Sequence, residues 1–222
     1  MRSLAAFGLL FLPSLGHASD FEVTGLVSGV TDYRDRGISL STQLPSFKSR
    51  ADVSHSSGFF FGSSFNTVND PNGGDIEFQP IAGYSRDIGI YFVEAGIEKT
   101  VIVGGTTGTF AEGFVTLGAD VGLAVARLRV LWSPNDIQPG SRDNVYVEAR
   151  ADGQVPNTQL VIRLRAGYES LSLGGDKVDW ELTLSHAFGP IDLAVSYTDS
   201  TVSELAGQDG GATGIFSIRY FF

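Results

Sequence analysis

Apolar side chains recur at every second position through most of this 222-residue chain. A period of two places successive side chains on opposite faces of a β-strand, whereas a helix requires a period near 3.6. The pattern is clearest at the end of the chain, where one face carries Phe216, Ile218, Tyr220 and Phe222. Ser217 and Arg219 take the other face. The sequence therefore predicts an all-β fold.

Twelve segments show this alternation, each about as long as a tilted β-strand that crosses a bilayer. They cover residues 22–32, 45–55, 59–67, 75–85, 90–101, 109–119, 121–132, 144–152, 158–168, 177–188, 191–199 and 212–222.

The connections between these segments alternate in length. The short ones are residues 55–58, 86–89, 119–121, 153–157 and 188–190. The longer, more polar ones are residues 33–44, 68–74, 103–108, 133–143, 169–176 and 200–211. Short periplasmic turns and longer extracellular loops are typical of bacterial outer-membrane barrels with an even number of strands. We therefore predict an up-and-down antiparallel barrel of twelve strands with both termini on the short-turn side.

The alternation alone does not show whether the polar or the apolar face of the strands lines the barrel interior. A soluble barrel of the lipocalin type turns its apolar face inward, and eight strands usually suffice for it. Here the polar face is heavily charged and the strand number is higher, which favours a transmembrane barrel whose apolar face, including Leu182, Val195 and Tyr197, meets outer-membrane lipid and lipopolysaccharide.

The first eighteen residues have the composition of a secretory signal peptide. Arg2 supplies the basic start, residues 4–12 the apolar stretch, and Gly16 and Ala18 the small residues before cleavage. We expect residues 1–18 to be removed and residues 19–222 to form the outer-membrane barrel of a Gram-negative bacterium.

Composition excludes several classes of function. The net charge of −10 argues against nucleic acid as a partner, because phosphate binding needs clustered Lys and Arg. No cofactor is implied, and the absence of cysteine leaves no thiolate zinc site. A Ser-His hydrolase needs a histidine base beside its nucleophile. His55 and His186 both fall at short-turn ends, away from the outer rim, so we do not expect an enzyme.

The first hairpin resembles the opening of the TorF family of porins. The matching stretch is VSGVTDYRDRGISLSTQLPSFKSRADVSHSSGFFFGSSFNTV, and the family's motif falls on Asp32, Tyr33, Arg36, Gly37 and Ser39. Thr31 departs from the usual Ser, and the later GYSRDIGIYFVEAGIEK resembles the second hairpin region. The resemblance implies an outer-membrane barrel with a role in transport.

The end of the chain resembles the carboxy-terminal signal by which outer-membrane barrels reach their insertion machinery. The signal would comprise Phe216, Ile218, Tyr220 and Phe222, with Ser217 standing where glycine is common.

If the apolar faces meet lipid, charged side chains line the lumen. The seventh to ninth segments turn five arginines inward, with Glu148 as a partner: Arg127, Arg129, Arg150, Arg163 and Arg165. The fourth to sixth segments turn inward Glu77, Glu94, Glu98 and Glu112 and carry no matching inward arginine. A second, mixed patch joins Lys48, Arg50, Asp52 and Arg219 to Asp179, Glu181 and Asp192.

Such a basic wall opposite an acidic wall would steer ionic solutes through a narrow pore. We therefore predict a passive channel for small hydrophilic solutes. Two alternatives stay open: the charges pair with one another and fill a closed interior, or the barrel is structural or adhesin-like and binds partners through its loops. The loop over residues 32–39 is either a turn tied by Arg34 or Arg36 or a segment folded over the pore.

Overall fold

The computed structural model describes residues 20–70, 73–105, 109–134, 143–170, 176–205 and 208–222. The predicted signal peptide lies outside the described residues. Twelve long strands form a closed barrel: β1 (Phe21–Val30), β4 (Ser46–His55), β5 (Phe59–Thr67), β6 (Ile76–Ile88), β7 (Tyr91–Val103), β8 (Phe110–Asp120), β9 (Ala124–Ser133), β10 (Asn144–Gln154), β11 (Leu160–Ser170), β12 (Asp176–Phe188), β13 (Ile191–Ser200) and β16 (Thr213–Phe221). Two short hairpins lie in the loops: β2 (Arg34–Asp35) with β3 (Ile38–Ser39), and β14 (Glu204–Leu205) with β15 (Gln208–Asp209).

Each long strand pairs antiparallel with its neighbours in the chain, and β1 closes the barrel against β16. The closing ladder runs from Leu26 opposite Phe221 to Val30 opposite Ser217. Two further backbone hydrogen bonds join Gly25 and Phe222, at 2.8 and 3.0 Å. The all-β, twelve-stranded, up-and-down barrel predicted from the sequence is confirmed.

The predicted alternation of short and long connections is also present. Two residues join β6 to β7 and β12 to β13, whereas fifteen residues, 31–45, separate β1 from β4. The first strand begins and the last strand ends at the short-turn end, where Phe21 lies opposite His55. Among the described residues, no helix is long and apolar enough to cross a membrane.

The outer surface of the barrel is apolar. Val195 is 59% exposed and Leu182 is 44% exposed, while their strand neighbours Ser196 and Thr183 are buried on the inner side. Large aromatic side chains cluster outward near both ends of the strands, as at Trp180 beside Tyr197, whose ring centroids lie 5.2 Å apart. A barrel exterior of this kind is stable only against lipid.

The outward face of β16 and the residue that follows it carry the residues predicted as an assembly signal: Phe216, Ile218, Tyr220 and Phe222. The Phe222 ring stacks on that of Tyr220, with centroids 6.3 Å apart. It also lies over Gly25, where any larger side chain would collide with it. Glycine at this position therefore allows the last residue to pack against the first strand.

Replacing Val195 by Arg should lower the free energy of unfolding by about 2–4 kcal/mol, because a charged side chain on the lipid face of a barrel is costly near the bilayer midplane. The measurement is a denaturant titration of the protein folded into lipid vesicles. The control V195L keeps the surface apolar and should unfold like the wild type. An arginine tolerated as well as leucine would mean that this face does not meet lipid.

Candidate functional site

The loop that follows β1 does not extend outward but folds into the mouth of the barrel. This loop, named L1 here, covers residues 31–45 and contains the β2–β3 hairpin. Its tip is the two-residue turn Arg36–Gly37, and both residues have positive φ, 47° and 82°. Hairpin turns of this geometry strongly favour glycine, because it has no side chain to collide with the backbone.

Asp32 fixes the base of L1. Its carboxylate accepts hydrogen bonds from Ser39 Oγ at 2.5 Å and from Arg34 Nε at 2.7 Å. The Tyr33 amide donates to Ser41 Oγ at 2.9 Å. All of these groups are buried or nearly so, which makes their hydrogen bonds costly to break.

Tyr33 ties L1 to the near wall of the barrel. Its hydroxyl donates to Glu77 Oε1 on β6 at 2.6 Å, and Asn66 Nδ2 on β5 donates to the same carboxylate oxygen at 2.8 Å. Lys48 Nζ lies 3.9 Å from the centroid of the Tyr33 ring. Burial raises the pKa of the Tyr33 phenol well above its ordinary value, and the Glu77 charge raises it further. The phenol therefore stays protonated and donates to the carboxylate.

Arg36 ties L1 to the opposite wall. Its guanidinium pairs with Glu112 on β8 at 2.5 Å and with Glu169 on β11 at 3.2 Å, and it lies 4.6 Å from the centre of the Tyr146 ring on β10. In the closed strand order, β8 and β10 each stand five places from β1, and β11 stands four places from it. Arg36 therefore reaches across the lumen.

A lysine helps to hold L1 in its position across the lumen. Lys177 Nζ on β12 donates to the backbone carbonyl of Arg36 at 2.7 Å and lies 2.7 Å from Glu169 Oε2. Burial alone would lower the pKa of Arg36, but attraction to Asp35 and Glu112 outweighs it and holds the pKa above its ordinary value. The groups that hold L1 across the lumen are thus permanently charged and shielded from solvent.

Of the two interpretations left open for residues 32–39, the structure shows a turn that is tied by Arg34 and Arg36 and that also lies across the mouth. Arg34 Nη1 donates to the Gly211 carbonyl at 2.6 Å, which joins L1 to the loop before β16.

Deeper in the lumen, the inward arginines of β10 and β11 pair mainly with aspartates. Asp152 lies 3.0 Å from Arg150 and 2.5 Å from Arg163, and its side chain is fully buried. Arg165 pairs with Asp179 on β12, and the Tyr146 hydroxyl contacts both of them. These two aspartates were not predicted as the partners of these arginines.

The expected partner, Glu148, lies only at the margin of this group, with Oε2 3.8 Å from Arg165 Nη1. Arg129 pairs with Glu98 on β7 at 2.6 Å, so one predicted basic residue binds one predicted acidic residue. In the second predicted patch, Arg50 pairs with Asp52 at 2.7 Å and Arg219 pairs with Asp192. The sequence predicts no inward arginine on the strands that carry the acidic wall, β6–β8, but Arg36 from L1 pairs with Glu112 and Arg129 from β9 pairs with Glu98.

Two of the predicted residues, Arg127 and Glu94, make neither a hydrogen bond nor an ion pair in the described part of the chain. Across the same residues, no group of three His, Asp or Glu side chains is placed to hold a metal ion.

The sequence matches the family described as "Bacterial protein of unknown function (Gcw_chp)" over residues 14–215. The chain belongs to the Gcw_chp family. The TorF name drawn from the first hairpin finds no support in this description. No curated protein matches the chain.

Solved structures share the fold of this Gcw_chp protein. A KdgM porin superposes with a TM-score of 0.62 at 10% identity, covering 90% of this chain and 99% of that chain. A NanC porin superposes with a TM-score of 0.63 at 12% identity, covering 88% and 97%. A KdgM porin described in complex with disordered oligogalacturonate gives 0.63 at 11% identity, covering 90% and 99%. A closed barrel of this fold with an apolar exterior places the protein in the bacterial outer membrane.

Replacing Arg36 by Gln should loosen L1. The change removes the ion pairs to Glu112 and Glu169 across the lumen, and one charge-assisted hydrogen bond contributes about 1.5–3 kcal/mol, so L1 amides should exchange hydrogen roughly tenfold faster or more. The reporter is the Leu40 amide, which donates to the Tyr33 carbonyl at 2.7 Å.

The control for this experiment is R50Q, which removes an ion pair within β4 and should leave exchange in L1 unchanged. Equal exchange at Leu40 in the wild type and R36Q would show that Arg36 does not hold the loop.

Proposed function

We propose that this protein is a narrow outer-membrane channel through which small hydrophilic or ionic solutes diffuse passively. The observation that carries the proposal is the charged interior crossed by L1: an outer face that suits lipid encloses an inner face lined with arginines and carboxylates. A polar inner face of this kind suits a water-filled lumen through which hydrophilic solutes can pass.

The arginines and glutamates predicted from the sequence are proposed to line this path. The basic side is Arg127, Arg129, Arg150, Arg163 and Arg165, with Glu148 among them, and the acidic side is Glu77, Glu94, Glu98 and Glu112. Most of these groups pair with an opposite charge on another strand. The electric field in the lumen is therefore that of several short-range dipoles rather than one field across the whole lumen. Such a path suits small solutes of mixed charge, and it predicts weak ion selectivity.

L1 is proposed to set the width of the extracellular mouth. It is tied to β6 through Tyr33 and to β8 and β11 through Arg36. The loop therefore divides the mouth, and a solute would have to pass beside it. The inward position of L1 also argues against an adhesin-like role, because it removes the longest of the described loops from the outer surface.

Two assembly partners follow from the same architecture. The outward aromatic residues at both strand ends are proposed to contact lipid and lipopolysaccharide. Phe222, packed on Gly25 at the closing seam, is proposed to be read by the barrel-insertion machinery. The relation to TorF porins remains a proposal based on the L1 motif.

The test is single-channel recording of the refolded protein in planar bilayers. We expect a small conductance with weak selectivity in a salt gradient. Replacing Arg127, Arg129, Arg163 and Arg165 together by Gln should shift the reversal potential toward cations, since arginine is charged at all physiological pH values. The shift should shrink at high salt because mobile ions screen the field.

The control is K99Q, which removes a positive charge from the exposed outer face of β7 and should leave the reversal potential unchanged. Unchanged selectivity in the folded quadruple variant would mean that these arginines only brace the barrel. A refolded wild-type barrel without conductance would contradict the proposal and favour the structural alternative.

A further inference from the structure

The lumen contains two side chains of opposite charge that lie near one another without forming a pair. Arg127 projects from β9 and Glu94 from β7, and both are half-buried. The Arg127 Nε is buried without a hydrogen-bond partner among the described residues. Arg127 is the first of the positive charges that act on Glu94, and Glu94 is one of three carboxylates that act on Arg127, after Asp152 and before Glu148.

Glu94 has no ion-pair partner because Arg129 of β9 pairs with Glu98 instead. Thr116 on β8 lies directly opposite Glu94 on one side and Arg129 on the other. Arg129 nevertheless leans toward the loop end, over the Phe114 ring at 4.2 Å, and binds Glu98 at 2.6 Å. The Arg129 guanidinium is therefore paired with Glu98 and not with Glu94.

Arg127 has no acidic neighbour in register. On one side it lies opposite Gly118 of β8, and on the other it lies opposite Arg150 of β10. Arg150 is engaged by Asp152, so Arg127 faces a like charge rather than a partner. An arginine in this position keeps its carboxylate-binding geometry available to a molecule in the lumen.

The strand between the two charges carries little bulk on its inner face. At this level β8 contributes only the Thr116 side chain and Gly118, which has no side chain. The Phe92 ring of β7 fills the space over Gly118, where a larger side chain would collide with it. The lumen wall between Glu94 and Arg127, named the notch here, is therefore formed by Thr116 and an aromatic ring.

We propose that Glu94 and Arg127 form a two-point binding site for a small zwitterion of the amino-acid type. The ammonium group of the solute pairs with Glu94, its carboxylate pairs with Arg127, and its short aliphatic part lies against Phe92. An ion of single charge meets one attractive and one repulsive group in this notch, whereas a zwitterion satisfies both. The inference rests on the proposed channel function and names a solute class for it.

The experiment measures binding of β-alanine by two independent methods: solute-induced block of the single-channel current, and calorimetric titration of the refolded protein in detergent micelles. N-acetylglycine, which lacks the ammonium group, and glycinamide, which lacks the carboxylate, serve as single-charge comparators. E94Q and R127Q should each weaken β-alanine binding by about tenfold, the loss expected for one charge-assisted hydrogen bond.

The comparators separate the two ends of the site. E94Q should leave N-acetylglycine binding unchanged or stronger, and R127Q should do the same for glycinamide. E94D and R127K retain both charges and should keep most of the β-alanine affinity, while K99Q on the outer face should behave like the wild type. Heat-modifiable mobility on gels reports that each variant is folded.

Calorimetry measures solute binding independently of conductance, so it tests the binding site apart from the channel. β-Alanine binding that depends on both residues, in a protein without conductance, would support the notch and contradict the channel. Equal binding of β-alanine and N-acetylglycine by the wild type, or β-alanine binding unaffected by E94Q, would overturn the zwitterion site even in a conducting protein. Loss of binding in E94D and R127K as large as that in E94Q and R127Q would also overturn it.

Discussion

A strand in a bilayer has no water to satisfy its backbone, so each of its N–H and C=O groups must bond to a neighbouring strand. In this protein the requirement is met only when β1 pairs with β16, because that ladder removes the last open edge of the sheet. Closure then fixes the remaining features. One face of every strand meets lipid, the other face meets the lumen, and the seam holds Phe222 against Gly25.

The lumen is shaped by charges that pair over long distances in the sequence. Arg36 binds Glu112 and Glu169, which are 76 and 133 residues away along the chain. Asp152 and Asp179 bind arginines of β10 and β11. These pairs brace the interior and draw L1 across the mouth, while Arg127 and Glu94 have no ion-pair partner among the described residues. The proposed selectivity for small polar molecules depends on which charges are already satisfied.

The strands could be predicted from the sequence because lipid and water act on opposite faces of each one, and every strand therefore repeats the same period of two. The pattern does not define the ends of the strands as well: β6 continues to Ile88, three residues beyond the predicted 75–85. There Arg86 interrupts the apolar outward face between Tyr84 and Ile88, so the alternation breaks before the strand ends. The path of L1 could not be predicted, since the alternation of β8 and β11 places Glu112 and Glu169 inward but does not say that a loop residue binds them. The ion pairs of Asp152 could have been predicted, because Asp152 lies on the same face as Arg150 and opposite Arg163 once the β10–β11 register is set.

The central claim is that L1, held by Arg36, narrows a conducting lumen. It is tested most directly by polymer exclusion, in which the single-channel conductance is recorded while neutral polyethylene glycols of increasing size are added to the extracellular side. The account predicts that only the smallest polymers enter the wild-type channel and reduce its current, and that R36Q admits larger ones. The same size limit in the wild type and R36Q, or free entry of large polymers into the wild type, would contradict it.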